Sequence, residues 1–290
     1  MVMKLKVDLH LHTNRDLAEI VSGRKNLISP TRLIDMAVEQ KYDAISITHH
    51  GVQFIDKALV EYARRKGLLI IPGVETFIQR KHVLLINFSS KKYILSYEDL
   101  LKYKTDDVLV IAPHPNYLVS ECLGRDLTDH IECFDGVEFC HYYMKWLNPN
   151  RKAMRIAEKF NLPMIGNSDA HKEYQFGTTY SYVYAEEKSI PAIIHAIKQG
   201  KVEVVTRPLN LREFTRETMW LLEKMPYIVQ SLLKKIAIRT SWQFAIRKYA
   251  TPDNLKPVLK ANRIQPEESA VPGTETLAPV SLSMETIEQN

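Results

Sequence analysis

Short apolar runs alternate with amphipathic segments along the chain as far as about residue 208. Runs rich in Val, Ile and Leu predict buried strands, of the kind found in parallel sheets, at residues 5–11, 44–48, 68–74, 83–88, 108–112, 136–139, 163–165, 181–184 and 202–206. Helix signals lie between several of them, at residues 29–40, 55–66, 96–103, 150–160 and 190–199. This alternation predicts an α/β fold, either a barrel or a doubly wound sheet.

The pattern changes after Pro208. Residues 213–249 mix apolar and basic side chains, and they predict two helices separated at Pro226. From about residue 262 the chain is rich in Glu, Thr, Ser and Pro, a composition typical of disorder. We therefore expect an α/β domain at 1–208, a basic helical extension at 209–261 and a disordered tail at 262–290.

Three interpretations are open for residues 211–260. The favoured one is a helical pair packed on the α/β domain or across a homodimer interface. A basic amphipathic segment could also attach to a membrane surface. A patch for nucleic acid is the third interpretation, but the apolar content is high for an exposed nucleic-acid helix.

Composition narrows the class of protein only a little. The chain has 290 residues, of which 45% are apolar and 25% charged, as in ordinary soluble proteins. Its three cysteines form no C-x-x-C pair, so we expect reduced thiols and a cytoplasmic location. We find neither a signal-peptide layout nor an apolar run of roughly 20 residues. The net charge of +5 permits an anionic substrate.

Candidate chemistry begins at the Asp-Leu-His-Leu-His-Thr sequence of residues 8–13. Side chains alternate along a strand, so Asp8, His10 and His12 are expected on one face. Two close imidazoles can bind one metal ion, and a neighbouring carboxylate can orient a ligating histidine. A polar edge strand with chance histidines is the alternative, but the flanking leucines indicate a buried strand.

Further acidic and histidine residues follow other predicted strands. They are His50, Glu75, His114, Asp169 and His171, whereas His82 precedes its strand. In α/β barrels the C-terminal ends of the strands form the rim on which active sites are built. Nitrogen and oxygen donors of this kind suit Zn²⁺, Mn²⁺ or Fe²⁺. The set contains no cysteine, which excludes a thiolate metal site.

These motifs resemble those of the PHP (polymerase and histidinol phosphatase) family of metal-dependent phosphoesterases. The four family motifs correspond to Asp-Leu-His-Leu-His-Thr at 8–13, Thr-His-His at 48–50, Gly-Val-Glu at 73–75 and Ser-Asp-Ala-His at 168–171. His82 and His114 match two intervening histidines of the family. The resemblance covers roughly residues 4–208 and implies a distorted (β/α)7 barrel with a dinuclear or trinuclear metal site.

The resemblance implies a ligand set for two or three divalent ions, Mn²⁺, Zn²⁺ or Fe²⁺. By motif, the ligands would be His10, His12, Asp16, His50, Glu75, His82, His114, Asp169 and His171, with Glu75 bridging two ions. Glu19 is an alternative to Asp16, because the loop after His12 varies in the family. His49 stands where the family usually has Asp, so either His50 lacks that supporting carboxylate or His49 is an extra donor to substrate. His141 stands where a small polar residue is common, and it is a candidate phosphate donor, a support for a ligand or an ordinary buried histidine.

The implied activity is hydrolysis of a phosphate ester by a metal-bound hydroxide. Arg15, Asn116 and Lys172 lie in loops beside the ligand motifs and are candidate phosphate contacts. Expected substrates are nucleotides, nucleoside bisphosphates, oligonucleotide ends cleaved in a 5′–3′ exonuclease-like reaction, or small phosphorylated metabolites. The competing hypothesis is a non-catalytic regulatory module that binds metal and keeps the fold.

Overall fold

The structure is a computed structural model that describes residues 2–54, 56–88, 94–117 and 120–222. These residues belong to one compact unit, Met1–Val229. The predicted helices and tail beyond residue 222 lie outside the described residues. Within the described part, no helix has the length and apolar content needed to cross a membrane.

All the predicted strands are present and join into one sheet in the order β7-β6-β5-β4-β3-β2-β1-β8-β9. Their bounds are β1 Met3–Leu11, β2 Ala44–Ile47, β3 Leu69–Ile78, β4 Lys81–Ile86, β5 Leu109–Ala112, β6 Gly136–Cys140, β7 Met164–Asn167, β8 Thr179–Ala185 and β9 Val202–Thr206.

The expectation of parallel strands is wrong for part of this sheet. β4 pairs antiparallel with both β3 and β5, and β8 pairs antiparallel with both β1 and β9. The remaining pairs are parallel. Apolar runs identify strands but not their direction, because a strand covered on both faces is apolar in either orientation. One consequence is that the beginning of β4, with His82, lies at the same edge as the later half of β3.

The two ends of the sheet approach each other and make it a nearly closed barrel. The Gly166 N–H of β7 donates to Ser181 Oγ of β8 at 2.8 Å, and Ser181 Oγ donates back to the Gly166 carbonyl. Just beyond β7, Ala170 forms a parallel bridge with Leu11 of β1. A side chain at 166 would collide with the Tyr180 carbonyl, so glycine permits this closure.

Eight helices accompany these strands in the described part of the chain. They are α1 Leu17–Val21, α2 Pro30–Glu39, α3 Lys57–Arg65, α4 Tyr97–Tyr103, α5 Asp126–Asp129, α6 Asn150–Lys159, α7 Ile190–Lys198 and α8 Leu211–Leu222. The short α1 and α5 were not predicted, because each is too brief to show helical periodicity. Ser29 caps α2, accepting from the Arg32 N–H.

Three apolar clusters stabilise this arrangement. The interior one joins side chains of most strands, including Leu9, Ile86 and Ile165, to the buried face of α7. The others lie between the sheet and its outer helices, one under α4 and α6 and one under α2. Because the strands are buried along their length, polar side chains are accommodated at the strand ends, on the rim of the barrel.

Candidate metal centre

Glu75 lies at the centre of the rim, and its side chain is 1% exposed. Five imidazoles approach its carboxylate, those of His10, His12, His50, His82 and His114. Burial raises the pKa of the Glu75 carboxyl, but the charges of the surrounding imidazoles lower it overall. The carboxylate is thus held ionised among nitrogen donors from five places in the sequence.

The two oxygens of Glu75 face different histidines. Oε2 lies 3.5, 3.4 and 3.1 Å from Nε2 of His10, His12 and His50 respectively. Oε1 lies 2.6 Å from Nδ1 of His82 and 3.2 Å from Nε2 of His114. Both oxygens of this buried carboxylate thus face imidazole nitrogens, an arrangement that suits a group of metal ligands.

Asp169 completes the group around His10 and His12. Its Oδ1 lies 3.4 Å from His10 Nε2 and 3.5 Å from His12 Nε2. The same oxygen is 3.7 Å from Nδ1 of His171. The Ala170 carbonyl accepts from the His12 N–H at 3.0 Å, which ties the loop after β7 to the end of β1.

Several buried nitrogens in the centre are without hydrogen bonds. Within the described residues, Nε2 of His10 and Nε2 of His12 have no hydrogen-bond partner. Nδ1 of His82 is close to Glu75 but is not aligned for a hydrogen bond. Unpaired buried nitrogens that converge on carboxylates fit divalent cations. Four groups of donors lie close enough to hold an ion: His10-Glu75-His114, His10-His12-Asp169, His12-Asp16-His50 and His50-Glu75-His82.

Asp16 contacts the Nδ1 atoms of two of the histidines, on the side of each ring opposite to Glu75. Its Oδ2 lies 2.8 Å from Nδ1 of His12 and 2.8 Å from Nδ1 of His50, and accepts from the His50 N–H. Its other oxygen accepts from the Ala18 N–H as the N-cap of α1. Burial raises the pKa of Asp16, but the hydrogen bonds from both histidines lower it overall. In this geometry Asp16 orients two imidazoles whose Nε2 atoms face Glu75.

His171 lies at the side of the centre, next to the alternative ligand Glu19. Its ring stacks on His12 with centroids 4.2 Å apart, and its Nε2 is 3.6 Å from Glu19 Oε1. Glu19 also forms a buried ion pair with Arg24 at 2.8 Å. Burial lowers the pKa of His171 to about 4. The imidazole is therefore neutral at pH 7, the form in which histidine binds metal ions.

Glu138 was missed by sequence reasoning. It is fully buried in β6, where its Oε1 accepts from His10 Nδ1 at 2.8 Å and from Asn167 Nδ2 at 2.9 Å. Its Oε2 accepts from the His114 N–H at 2.7 Å. A charged residue inside an apolar strand was the available signal, because buried carboxylates need partners. Glu138 therefore holds the His10 ring with Nε2 toward Glu75.

Asp8 does not orient a histidine ring. Its carboxylate accepts from the Ser168 hydroxyl at 2.6 Å and from the Ser168 and His10 backbone N–H groups. Burial raises the pKa of Asp8 to about 7. The first residue of the motif thus fixes the loop that carries Asp169, and Glu138 has the orienting role expected of Asp8.

His49, which stands where an Asp was expected, contacts Thr13 and Phe54. Its Nε2 lies 2.8 Å from Thr13 Oγ1, its ring is 4.8 Å from that of Phe54, and it is 4% exposed. Burial lowers the pKa of His49 to about 4. Support for His50 comes instead from Asp16, so the replacement at 49 does not leave that ring unsupported.

His141 and helix α8 lie beside the metal centre. His141 follows β6 and is 5% exposed, and its Nε2 is 4.0 Å from Oε1 of Glu217 in α8. Burial lowers the pKa of His141, while the charges of Asp169 and Glu138 oppose that shift. Burial raises the pKa of Glu217 to about 7. The sequence did not single out Glu217, because helical spacing alone does not say what a helix covers.

The three candidate phosphate contacts have different surroundings. Arg15 is exposed and its guanidinium pairs with Asp56 at 2.7 Å. Asn116 is half-buried, and neither atom of its amide has a hydrogen-bond partner in the part of the chain described. Lys172 directs Nζ toward the Trp220 ring at 5.8 Å. Asn116 is therefore the one of the three with buried, unused hydrogen-bonding capacity.

Two residues of the centre have left-handed backbone conformations. His114 has φ of 27° and Asp169 has φ of 47°. Such conformations cost about 1–3 kcal/mol in residues other than glycine. The surrounding contacts, including the His114 N–H to Glu138 bond, hold this strain at the point where the side chains converge.

Known proteins share this fold. Residues 148–202 match the PHP-associated family model, and no curated protein matches the chain. A two-domain protein of Bacteroides vulgatus ATCC 8482, containing a predicted PHP-like metal-dependent phosphoesterase, superposes with a TM-score of 0.55 at 22% identity, over 74% of this chain and 69% of its own. PsfC from Pseudomonas syringae PB-5123 superposes with a TM-score of 0.53 at 17% identity, over 77% of this chain and 99% of its own. The chain therefore has a fold in common with PHP-like proteins and carries a PHP-associated segment at residues 148–202.

Proposed function

We propose that this protein hydrolyses phosphate esters with the help of divalent metal ions. The observation that carries the proposal is the carboxylate of Glu75 among five imidazoles, with buried and unpaired nitrogens around it. Such a set of nitrogen and oxygen donors suits Mn²⁺, Zn²⁺ or Fe²⁺. The PHP fold and the PHP-like phosphoesterase of the Bacteroides vulgatus protein support the reaction class.

The proposed ligands are the nine residues implied by the family motifs. Glu75 would be shared between ions, with His10, His12 and Asp169 on one side and His82 and His114 on the other. His50, His171 and either Asp16 or Glu19 would serve a further ion. Bound divalent ions would supply Lewis acidity toward the phosphoryl group and activate water near neutral pH.

The protein's own groups would position the ester. The Asn116 amide, two residues beyond His114, is available to hydrogen-bond a phosphoryl oxygen. Lys172, directly after His171, would add positive charge for an anionic substrate. Glu138 would keep the His10 ring in one orientation, so that this ring needs no reorganisation as substrate binds.

The proposed substrate is a phosphomonoester or phosphodiester, from small phosphorylated metabolites to nucleotides, nucleoside bisphosphates and oligonucleotide ends. A regulatory module that binds metal without turnover is the second candidate. The replacement of Asp by His49 does not favour that candidate, because His49 contacts Thr13 and His50 is supported by Asp16.

The test is a substrate screen with protein loaded separately with Mn²⁺, Zn²⁺ and Fe²⁺. It would cover aryl phosphates, phosphomonoesters, bisphosphates and short oligonucleotides, with Asp169→Asn protein as the matched control for contaminating phosphatases. We expect turnover by the wild-type protein that the variant lacks. Tight metal binding without hydrolysis of any ester would favour the regulatory module.

A further inference from the structure

Helix α8 is held on the rim by aromatic contacts on either side of Glu217. The Phe214 ring stacks on Tyr142 with centroids 4.8 Å apart, and Thr218 Oγ1 lies 2.7 Å from the Tyr142 hydroxyl. One turn later, the Trp220 ring lies 5.0 Å from that of His171. Neighbours before and after Glu217 therefore fix where its side chain projects.

One oxygen of Glu217 already has a partner from the barrel. Its Oε2 accepts from Gln175 Nε2 at 2.8 Å. Gln175 Oε1 in turn accepts from the backbone N–H groups of His171 and Lys172, at 2.7 Å each. This chain of bonds fixes the orientation of the carboxyl plane, because only one arrangement of the Gln175 amide satisfies both ends.

The other oxygen, Oε1, faces His141 across a gap. The 4.0 Å distance from Oε1 to His141 Nε2 is too long for a hydrogen bond. Both side chains are buried, at 2% and 5% exposure, and His141 Nε2 has no hydrogen-bond partner among the residues described. A buried polar atom without a partner is costly, and it indicates a group that binds there.

We propose that Glu217 and His141 form a subsite for a hydroxyl group on the part of the substrate that leaves with the ester oxygen. A hydroxyl oxygen about 2.8 Å from each atom would span the gap, because a hydroxyl both donates and accepts. A second phosphate at this position would instead lie next to the acidic side chain of Glu217. The inference rests on the proposed phosphoesterase function and narrows it to hydroxylated monophosphates rather than bisphosphates.

Matched substrate pairs test this subsite. We would compare glycerol 1-phosphate with propyl phosphate, adenosine 3′-phosphate with its 2′-deoxy analogue, and adenosine 3′,5′-bisphosphate as the doubly charged case. For at least one pair, we expect kcat/KM to favour the hydroxylated member about tenfold. The two pairs distinguish a small polyol phosphate from a nucleotide as the source of the hydroxyl.

Glu217→Gln is the sharpest variant, because its shape is unchanged. Gln175 Nε2 continues to donate to the new amide oxygen, so the new NH₂ group faces the subsite in place of an acceptor. The preference for the hydroxylated member should fall to about threefold or less, and activity on the bisphosphate should rise relative to activity on propyl phosphate.

Glu213→Gln on the same helix is the matched control, because Glu213 pairs with Arg207 and Asn210 away from the centre.

Equal kcat/KM within both pairs, or an undiminished preference in Glu217→Gln protein, would overturn the subsite. If no ester is hydrolysed, the phosphoesterase proposal fails separately. Calorimetric Kd values of the metal-loaded protein for the same pairs then decide the subsite. If Glu217→Gln protein does not fold, the wild-type pairs alone decide it.

Discussion

His10 Nδ1 and Glu138 Oε1 lie 2.8 Å apart, and both side chains are fully buried. The carboxylate therefore fixes the ring with Nδ1 toward Glu138 and Nε2 toward Glu75 and Asp169. Glu138 accepts from three donors in all, His10, Asn167 and the His114 backbone. One residue of β6 thus holds two histidines in place, one from β1 and one from the loop after β5.

Glu138→Gln should therefore weaken metal binding although the substitution preserves shape. All three partners of Glu138 are donors, so the new NH₂ group must face one of them. We expect the metal Kd to rise about 10–100-fold, measured by calorimetry, with kcat/KM falling in parallel. Glu186→Gln, at an exposed position, is the control. Wild-type metal affinity in the Glu138 variant would contradict the orienting role.

Asp169→Asn should abolish hydrolysis and leave the fold intact. Asn is chosen over Ala because the backbone at 169 is left-handed, which Asn tolerates. Loss of the charge should reduce kcat/KM by on the order of 10³, or ~4 kcal/mol of transition-state stabilisation. Circular dichroism and metal analysis would accompany the kinetics. Turnover near the wild-type level would show that Asp169 is not part of the reaction centre.

Removal of metal should lower both activity and thermal stability. An ion that binds only the folded protein stabilises it by about 2.7 kcal/mol at a concentration one hundred times its Kd. Chelated protein should therefore unfold at a lower temperature than Mn²⁺-loaded protein, and readdition should restore both properties. The measurement is a melting curve across a Mn²⁺ titration, with Na⁺ at matched ionic strength as control. A melting temperature independent of Mn²⁺ would argue against a metal centre.

His49→Ala should cost stability rather than catalysis. His49 bonds Thr13 and packs on Phe54, and neither contact reaches Glu75. Removing the imidazole leaves the buried Thr13 hydroxyl without this partner, and we expect a loss of about 1–3 kcal/mol in the free energy of unfolding. Denaturant titration measures the loss, and kcat/KM should stay within about threefold of wild type. A large fall in kcat at unchanged stability would instead indicate contact with substrate.

Gly73→Ala should be destabilised by collision with β2. A Cβ atom at 73 would overlap Ser46 Oγ and come within 2.9 Å of Thr48 Cγ2. Overpacking of this kind costs about 1–3 kcal/mol. Adding Ser46→Ala should recover part of the loss, because that hydroxyl is buried without a hydrogen-bond partner within the described chain. Equal melting temperatures for the single and double variants would exclude this collision as the cause.

Much of the site could be predicted because its residues lie at the ends of apolar strands. The runs before His50, His114 and Asp169 are local patterns, and they identified strands whose ends the barrel brings together. His82 looked exceptional because it precedes its strand. The antiparallel pairing of β4 with β3 removes the exception, but strand direction depends on partners that are distant in sequence.

The sequence by itself determined which segments become strands and helices and which histidines and carboxylates mark their ends, since periodicity and capping act between near neighbours. Only the tertiary structure decided what those side chains contact. Glu138 meets His10 across 128 positions of sequence, and Glu217 reaches Gln175 across 42. Such contacts depend on how whole helices and strands pack together, and no local sequence pattern predicts that packing.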